Sequence, residues 1–147
     1  MVQEFSGTVG WQALLSLQVE NYGQINHPAG KLYMYGTHNH YAGASLITSP
    51  GALFHFGSGS NTSFKTHTFK TGSTLTAASD IDLHANGILK FENGSTFSGN
   101  PNIKINGGSS LQSKVPLTFN SVENYAEIRD TFVLSTIGDF NQKSGQV

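Results

Sequence analysis

The stretch YGTHNHY, residues 35 to 41, carries the residue types most capable of chemistry in this sequence. If it forms a strand, His38 and His40 lie on one face, because successive side chains of a strand point to opposite sides. Two imidazoles at positions i and i+2 can ligate a metal ion. No carboxylate is placed beside them, so we interpret the pair as outward polar residues on a neutral surface. We therefore predict no metal and no other cofactor.

Three tyrosines accompany these histidines, at positions 33, 35 and 41. Aromatic faces offer large apolar areas with a polar edge, and sugar rings commonly stack against them. The tentative ligand-binding residues are therefore Tyr33, Tyr35, His38, His40 and Tyr41, with a glycan as the expected ligand class. The alternative is that the tyrosines cover one another between neighbouring strands or at a subunit contact.

The segment SDIDLH places Asp80, Asp82 and His84 on one side of an expected strand. Paired carboxylates are the catalytic groups of many polysaccharide-degrading enzymes. No lysine or arginine lies within five residues of this group, and a solvated strand face has the same pattern. Phosphate-binding loops, nucleophile elbows and zinc-protease motifs are also absent from the sequence. We predict that the protein is not an enzyme, and a polysaccharide-degrading fragment is the weakest alternative.

The composition limits the classes of partner. Charged residues make up 12% of the 147 residues, against about 25% in typical soluble domains, and the net charge is −1. Such a chain has no long-range attraction for nucleic acid, so we expect no nucleic-acid partner. Glycine, serine, threonine and asparagine together supply 59 residues, and these types favour turns and strands. There is no cysteine, which excludes disulfides and thiolate metal sites.

Several short segments alternate between apolar and polar residues, which is typical of half-buried strands. In four of them the charged residues fall on the face opposite the aliphatic residues. The segments are LSLQVE (15–20), KLYMYG (31–36), ALFHFG (52–57), IDLHA (81–85), ILKFEN (88–93) and NIKING (102–107). We expect these segments to be strands with one face in a core.

The same local motif, a strand followed by glycine and small hydroxyl residues, recurs five times. The marking glycines are Gly36, Gly57, Gly72, Gly94 and Gly107, with spacings of 21, 15, 22 and 13 residues. A corner between short strands needs a positive φ, which glycine adopts at little cost. The spacings alternate between long and short, which we attribute to unequal loops on successive turns.

These corners allow two architectures. If each corner leads into a new sheet, the strands stack as rungs of a β-solenoid. If a corner such as Asn93-Gly94 is a type I′ hairpin turn, the strands pair in an antiparallel sandwich or jelly roll. The recurring motif and the alternating Ser and Thr residues of 57–80 favour the first. We predict an all-β fold, a β-solenoid (β-helix) of short irregular rungs with a charged C-terminal cap, and keep the β-sandwich or jelly roll as the alternative.

We expect a single all-β domain over residues 1–147. Within it we predict an N-terminal strand or cap (1–29), a repetitive β body (30–120), a C-terminal cap with the last strand (121–140) and a tail (141–147). The cap is suggested by the segment SVENYAEIRD, which holds three of the nine acidic residues and the only arginine. A three-to-four-residue spacing of apolar residues there fits one face of a short helix, and a charged loop is the alternative. The spaced residues are Val122, Tyr125, Ile128 and Phe132.

The units LKFENGSTF and IKINGGSSL resemble the rungs of β-solenoid surface proteins, as found in adhesin repeats, autotransporter passenger domains and phage tail fibres. The resemblance covers roughly residues 30–111 and implies a rigid, extended body used for structure or attachment. It transfers no functional residue. From it we expect a structural or adhesive protein that forms a homo-oligomer or part of a fibre, shell or surface layer. A carbohydrate-binding module is the alternative.

The N-terminal twenty residues have no basic segment followed by an apolar core, so we expect no signal peptide. No run approaches the roughly 18 apolar residues of a membrane span, so we expect none. The resemblance to surface proteins places the chain outside the cell, on a cell surface or in a virion.

Overall fold

The structure is a computed structural model, and it describes residues 13–15 as backbone and residues 18–57, 63–129 and 133–143 in full. Every regular element in these ranges is a strand. The described residues contain no helix that could cross a membrane. The strands are β1 (Ala13–Leu15), β2 (Val19–Asn21), β3 (Gln24–His27), β4 (Lys31–Met34), β5 (His38–His40), β6 (Ser45–Thr48), β7 (Leu53–Gly57), β8 (Lys65–Phe69), β9 (Thr74–Ala77), β10 (Asp80–His84), β11 (Gly87–Phe91), β12 (Thr96–Ser98), β13 (Asn102–Ile105), β14 (Ser110–Ser113), β15 (Leu117–Phe119), β16 (Ser121–Asn124), β17 (Glu127–Arg129), β18 (Leu134–Thr136) and β19 (Phe140–Gln142).

Except for β12, each strand from β1 to β16 pairs in parallel with the strand three places further along the chain, which is the arrangement of a β-solenoid with three strands per rung. Sheet 1 contains β1, β4, β7, β10, β13, β16 and β19. Sheet 2 contains β2, β5, β8, β11, β14 and β17, and sheet 3 contains β3, β6, β9 and β12. The pair β15–β18 follows next to β12. Rungs 1 to 6 are therefore β1–β3, β4–β6, β7–β9, β10–β12, β13–β15 and β16–β18. The parallel pairing excludes the sandwich alternative.

The core is built from in-register columns of buried side chains. On sheet 1 one such column runs through Leu32, Phe54, Ile81, Ile103 and Val122, each at most 3% exposed. Alternate residues of β4, β7, β10, β11 and β13 face outward, so the predicted alternation of these strands is confirmed. Burying one aliphatic or aromatic side chain per inward position stabilises the stack by about 1.5–3 kcal/mol per residue.

The corner between sheets 2 and 3 uses the same turn in three successive rungs. The N–H groups of Ala44, Ser73 and Ser95 donate to the carbonyls three residues before them, at 2.8, 3.0 and 3.1 Å. The glycine at the third position of each turn has φ of 82°, 78° and 78°, in the order Gly43, Gly72, Gly94. This is the conformation that a type II turn requires, and only glycine adopts it readily. The N–H of each of the first two glycines bonds to the carbonyl of the next, at 2.9 Å.

These corners explain the alternating glycine spacing. Gly36 and Gly57 mark the sheet 1–2 corner of successive rungs, and Gly72 and Gly94 mark the sheet 2–3 corner of successive rungs, so the long spacings are whole rungs. The short spacings separate glycines at different corners of the solenoid. Rungs also differ in length: paired residues of sheet 1 lie from 18 positions apart (Val122 and Phe140) to 27 (Phe54 and Ile81).

Two expectations about the corners are wrong. Asn93-Gly94 is not a hairpin turn, because β11 and β12 lie in different parallel sheets. A positive φ is confirmed at Gly72 and Gly94 but is absent at Gly36, Gly57 and Gly107. At the Gly107 corner the neighbouring Gly108 has the positive φ, 80°.

The ends of the chain are strands wherever the structure describes them. The helical interpretation of the segment that begins at Ser121 is wrong, because Ser121–Asn124 and Glu127–Arg129 are β16 and β17. The apparent helical spacing arises because a bend separates two strands, each with its own alternation. Phe132 lies outside the described residues. Near the N-terminus the strand interpretation is confirmed for β1 and β2, which divide the expected strand Leu15–Glu20.

Candidate functional site

The five residues expected to form one ligand-binding surface lie at three different places. Tyr33 and Tyr35 project from sheet 1, with ring centroids 5.4 Å apart. His38 and His40 belong to β5 of sheet 2 and point inward, and Tyr41 lies at the start of the sheet 2–3 corner. The corner at Gly36 turns the chain between the first pair and the histidines. The structure therefore does not bring these residues together.

The interpretation of His38 and His40 as outward polar residues is wrong. Both side chains are fully buried, so neither can contribute to an exposed glycan surface. The two do share one face of the strand, as expected, and His38 Nδ1 lies 2.9 Å from Nδ1 of His67 on β8. No group of three or more metal-ligating side chains occurs among the described residues. We call His38, His40 and His67 the inner histidines.

The neighbouring strand carried a signal for this burial. The strand β5 reads HNH, and with three polar residues its alternation does not show which face is inward. In β8, KTHTF, His67 shares a face with Phe69, and an aromatic residue of that size belongs in a core. Parallel pairing then places His38 beside His67 and His40 beside Phe69. The pairing of β5 with β8 was the information that the sequence alone lacked.

The outer face of sheet 1 carries a column of polar residues in register, which we call the outer column. It comprises Tyr33, His55, Asp82, Lys104 and Glu123. The rings of Tyr33 and His55 are stacked, with centroids 4.6 Å apart and planes 18° from parallel. His55 Nδ1 lies 3.3 Å from Oδ2 of Asp82. Aromatic, imidazole and carboxylate groups thus meet across three rungs.

Burial and charge act in opposite directions on the imidazole of the outer column. Partial burial is the largest influence and lowers the pKa of His55, whereas the carboxylate of Asp82 raises it. His84 and Lys31 lower it further, because a nearby positive charge disfavours protonation. Beside this column, burial raises the pKa of Tyr35, and Tyr33 and Asp82 add to that shift. Neutral His55 and neutral Tyr35 are therefore favoured at this surface.

The carboxylates of the segment SDIDLH are engaged in contacts between rungs. Asp80 Oδ1 accepts a hydrogen bond from Nδ2 of Asn102 at 2.9 Å, and the Asn106 side-chain amide donates to Asp82. The register places Lys104 beside Asp82, although the two are far apart in sequence. The Nζ atom of Lys104 lies 5.5 Å from the ring centroid of Tyr125, on the next rung. These carboxylates serve the packing of rungs, and their hydrogen bonds account for their positions.

A second exposed cluster surrounds Tyr41, and we call it the tyrosine platform. The rings of Tyr22 and Tyr41 stack at 4.4 Å with planes 9° apart, and Lys70 Nζ lies 5.2 Å from the Tyr41 centroid. Tyr22 is 59% exposed, so the platform is open to solvent on one side. Tyr22 was not among the predicted site residues. It lies one rung before Tyr41, and two aromatic residues at one corner of successive rungs are the signal for such a stack.

A carboxylate anchors the platform. Hydrogen bonds from Gln18, Tyr41 and Asn39 stabilise the charged form of Glu20 and lower its pKa to about 2. The amides of Gln18 and Asn39 donate to Oε1 at 2.8 and 2.9 Å. The hydrogen bond with Glu20 is also the largest cause of the raised pKa of Tyr41. Tyr41 thus remains a neutral phenol that donates to a carboxylate.

The surface also carries shallow grooves, two of which we describe by their lining residues. One, of about 500 Å³, lies over sheet 2 between the exposed Phe64, Ile88 and Arg129. The other, of about 450 Å³, lies at the sheet 3–1 corner between Lys31 and Asp80.

Comparison of the chain with protein-family models, with curated proteins and with solved structures found no match.

Proposed function

We propose that this protein is a structural or adhesive β-solenoid that associates with copies of itself or forms part of a larger fibre, shell or surface layer. The observation that carries the proposal is the parallel stack. In the described part of the chain, β17, β18 and β19 each pair on one side only. Unpaired strand edges of this kind are templates for a further strand. Such a role places the protein outside the cell, on a cell surface or in a virion.

The C-terminal edge of the stack exposes three large apolar side chains. Val133, Ile137 and Phe140 are 46%, 65% and 39% exposed, and all three lie on or beside the last strands. Exposed large apolar side chains close together mark interaction surfaces. At the opposite end of the stack, β1, β2 and β3 are also paired on one side only within the described ranges. A second copy placed head to tail offers strands that run in the same direction as those at this edge.

The flanks of the solenoid oppose association weakly. Outward positions of sheet 3 carry hydroxyl side chains in register, in the columns Ser45–Thr74–Thr96 and Thr76–Ser98. With charged residues at 12% of the chain, these faces carry little like-charge repulsion. The hydroxyl face of sheet 3 therefore also permits side-by-side contacts between parallel fibres.

The test is the oligomeric state, measured by size-exclusion chromatography with light scattering over a dilution series and by negative-stain electron microscopy. We expect species larger than the 15.8 kDa chain that dissociate on dilution. The variant Ile137→Lys/Phe140→Lys should shift the distribution to monomer, because two charges would be buried at the contact. Thr71→Lys/Asn93→Lys adds the same charge at exposed positions of the sheet 2–3 corner and serves as the control. A wild-type monomer at every concentration would exclude self-association.

Carbohydrate binding is the second candidate, and the tyrosine platform favours it. Tyr22 stacks on Tyr41 and is 59% exposed, so it offers an aromatic surface to solvent, while Lys70 lies over the Tyr41 ring and Glu20 accepts a hydrogen bond from Tyr41. Sugar rings bind to such areas through apolar contact and edge hydrogen bonds. Tyr33 of the outer column and the neighbouring Tyr35 form a further, less exposed aromatic pair.

A glycan array with the wild-type protein tests this candidate. Tyr22→Ala/Tyr41→Ala should weaken binding of any retained glycan by about tenfold, which corresponds to about 1.4 kcal/mol. Phe64→Ala removes an equally exposed aromatic side chain from another part of the surface and is the matched control. Equal glycan binding by both variants would remove the platform from consideration.

A further inference from the structure

The interior of sheet 2 changes character along the solenoid. One inward column reads His38, His67, Leu89, Leu111 and Ile128 from rung 2 to rung 6. The next inward column reads Asn21, His40, Phe69, Phe91 and Ser113 from rung 1 to rung 5. The polar members lie in rungs 1 to 3. From rung 4 onward the same positions hold leucine, isoleucine and phenylalanine, with one serine.

The contact between His38 and His67 accommodates only one proton between its two nitrogens. Their Nδ1 atoms lie 2.9 Å apart, so one ring donates an N–H and the other accepts it. The centroids are 4.8 Å apart, and the ring of Phe56 meets His67 edge-on at 4.9 Å. If both Nδ1 atoms carry protons, two N–H groups face each other and the hydrogen bond is lost.

His40 is enclosed by the same core. Its ring stacks on Phe69 with centroids 4.3 Å apart and planes 3° from parallel, and its Nδ1 lies 3.0 Å from Nδ2 of Asn21. Because an amide N–H₂ group only donates, this Nδ1 accepts, and the ring proton is on Nε2. That Nε2 is buried and has no hydrogen-bond partner. A second proton on His40 would displace the Asn21 contact.

No negative charge inside the described core balances a charged imidazole. The buried titratable side chains in the described ranges are the inner histidines and His27 of β3, whose ring packs edge-on against Phe54. Their packing neighbours from β4, β6, β7, β9 and β11 are apolar or hydroxyl side chains. The charged residues on these and adjoining elements lie on the outer face: Glu20, Lys31, Lys65, Lys70, Asp80, Asp82 and Lys90, together with the titratable His55 and His84.

Burial lowers the pKa values of two of the inner histidines, His40 and His67. It is the largest cause that lowers the pKa of His40, to about 3, with a contribution from His38. Burial also lowers the pKa of His67 well below its usual value, with His38 and His40 adding to the effect and a backbone contact at Gly57 opposing it.

We propose that the inner histidines make rungs 1 to 3 an acid-sensitive segment, which loses its packed structure at mildly acidic pH while rungs 4 to 6 keep theirs. Solenoid rungs contact only their neighbours, so one end can open without the other. Within the described residues the buried histidines are confined to rungs 1 to 3, and this asymmetry sets where opening begins.

The sign of the effect follows from proton linkage. Well above pH 6.5, His40 and His67 are neutral in both the folded and the unfolded chain, so folding does not change their protonation. As the pH falls from 6.5 towards 3, the unfolded chain binds protons that the folded core excludes. Each such histidine lowers the folding equilibrium constant by up to about tenfold per pH unit, and His40 with His67 by up to about 100-fold.

Hydrogen exchange with mass spectrometry locates the opening. Urea unfolding at pH 5 to 7 measures how steeply the folding equilibrium constant changes with pH. This window lies above the range where most carboxylates titrate. After correction for intrinsic exchange rates, we expect residues 18–57 and 63–77 of the wild-type protein to lose protection on acidification before residues 80–129. Loss of protection at one pH over all rungs would overturn the proposal.

The variant His38→Leu/His67→Leu inserts the residue that Leu89 and Leu111 supply at the same register. Replacing both partners removes the polar pair together, which leaves neutral-pH stability about unchanged. We expect the pH dependence of its folding equilibrium constant to fall to about tenfold per pH unit. His40→Phe, which copies Phe69 and Phe91, should also lower the slope by about one proton, and it provides the test if the double variant does not fold. The control is His84→Asn, at an exposed position. Wild-type slopes in both inner variants would contradict the proposal.

Discussion

Glycine serves two separate purposes in this solenoid. Gly43 has φ of 82°, and a β-carbon added there would meet nothing within 4 Å, so its requirement is conformational. Gly57 has no positive φ, but a β-carbon there would overlap the backbone carbonyl oxygen of His84 on the next rung. The first glycine permits a turn, and the second permits two rungs to approach each other.

Alanine substitutions separate these purposes. Gly43→Ala forces a β-carbon into the left-handed region, and we expect a loss of about 1–2 kcal/mol in the free energy of unfolding. Gly57→Ala must displace a backbone carbonyl, so its loss should exceed that of Gly43→Ala. Urea denaturation of the two variants beside the wild type measures both. A larger loss for Gly43→Ala would show that close approach of rungs 3 and 4 is unimportant.

Between elements, the rungs are joined by polar contacts on the outside as well as by apolar contacts inside. Asp82 on β10 holds His55 on β7 and accepts from Asn106 beyond β13, so one carboxylate connects three rungs. Asp80 lies two residues earlier on the same strand and bonds to Asn102 instead. The two acids are alike in type and strand but differ in whether they contact His55.

That difference gives a titration test. Asp82 raises the pKa of His55 against the stronger effect of burial, so Asp82→Asn should lower this pKa further. Asp80→Asn is the matched control and should leave it nearly unchanged. NMR detection of the imidazole protons across a pH series measures both. An unchanged His55 titration in Asp82→Asn would show that Asp82 does not contact His55 in solution.

Strand faces could be predicted where one face is aliphatic, as with Leu32 and Met34 of β4, because alternation then has only one favourable phase. The inward face could not be predicted for β5, where every residue is polar. The recurrence of corners was visible in the glycine motif. The assignment of each glycine to one of three corners required the strand pairing, because rungs of unequal length disguise the period. For the same reason, the outer column and the tyrosine platform, whose members lie one rung apart, could not be assembled from local spacing.

For the whole molecule, nearest-neighbour stacking predicts that damage stays local. Leu111 of rung 5 is fully buried in an inward column, and Leu111→Ala should cost about 2–5 kcal/mol locally. Hydrogen exchange should show the largest loss of protection in rungs 4 to 6 and a smaller loss in rung 2. Uniform loss in every rung would mean that the solenoid unfolds as one cooperative unit.

The unequal rungs also have a practical consequence for protein engineering. The chain from Gly57 to Lys65 joins β7 to β8, whereas only Ala85 and Asn86 separate β10 from β11 at the same corner. In spite of this difference in length, β7 pairs in register with β10, and β8 pairs in register with β11. The β10–β11 connection should therefore accept a foreign peptide graft of several residues. Display of an epitope there would project it from the side of the rod and leave both tips free.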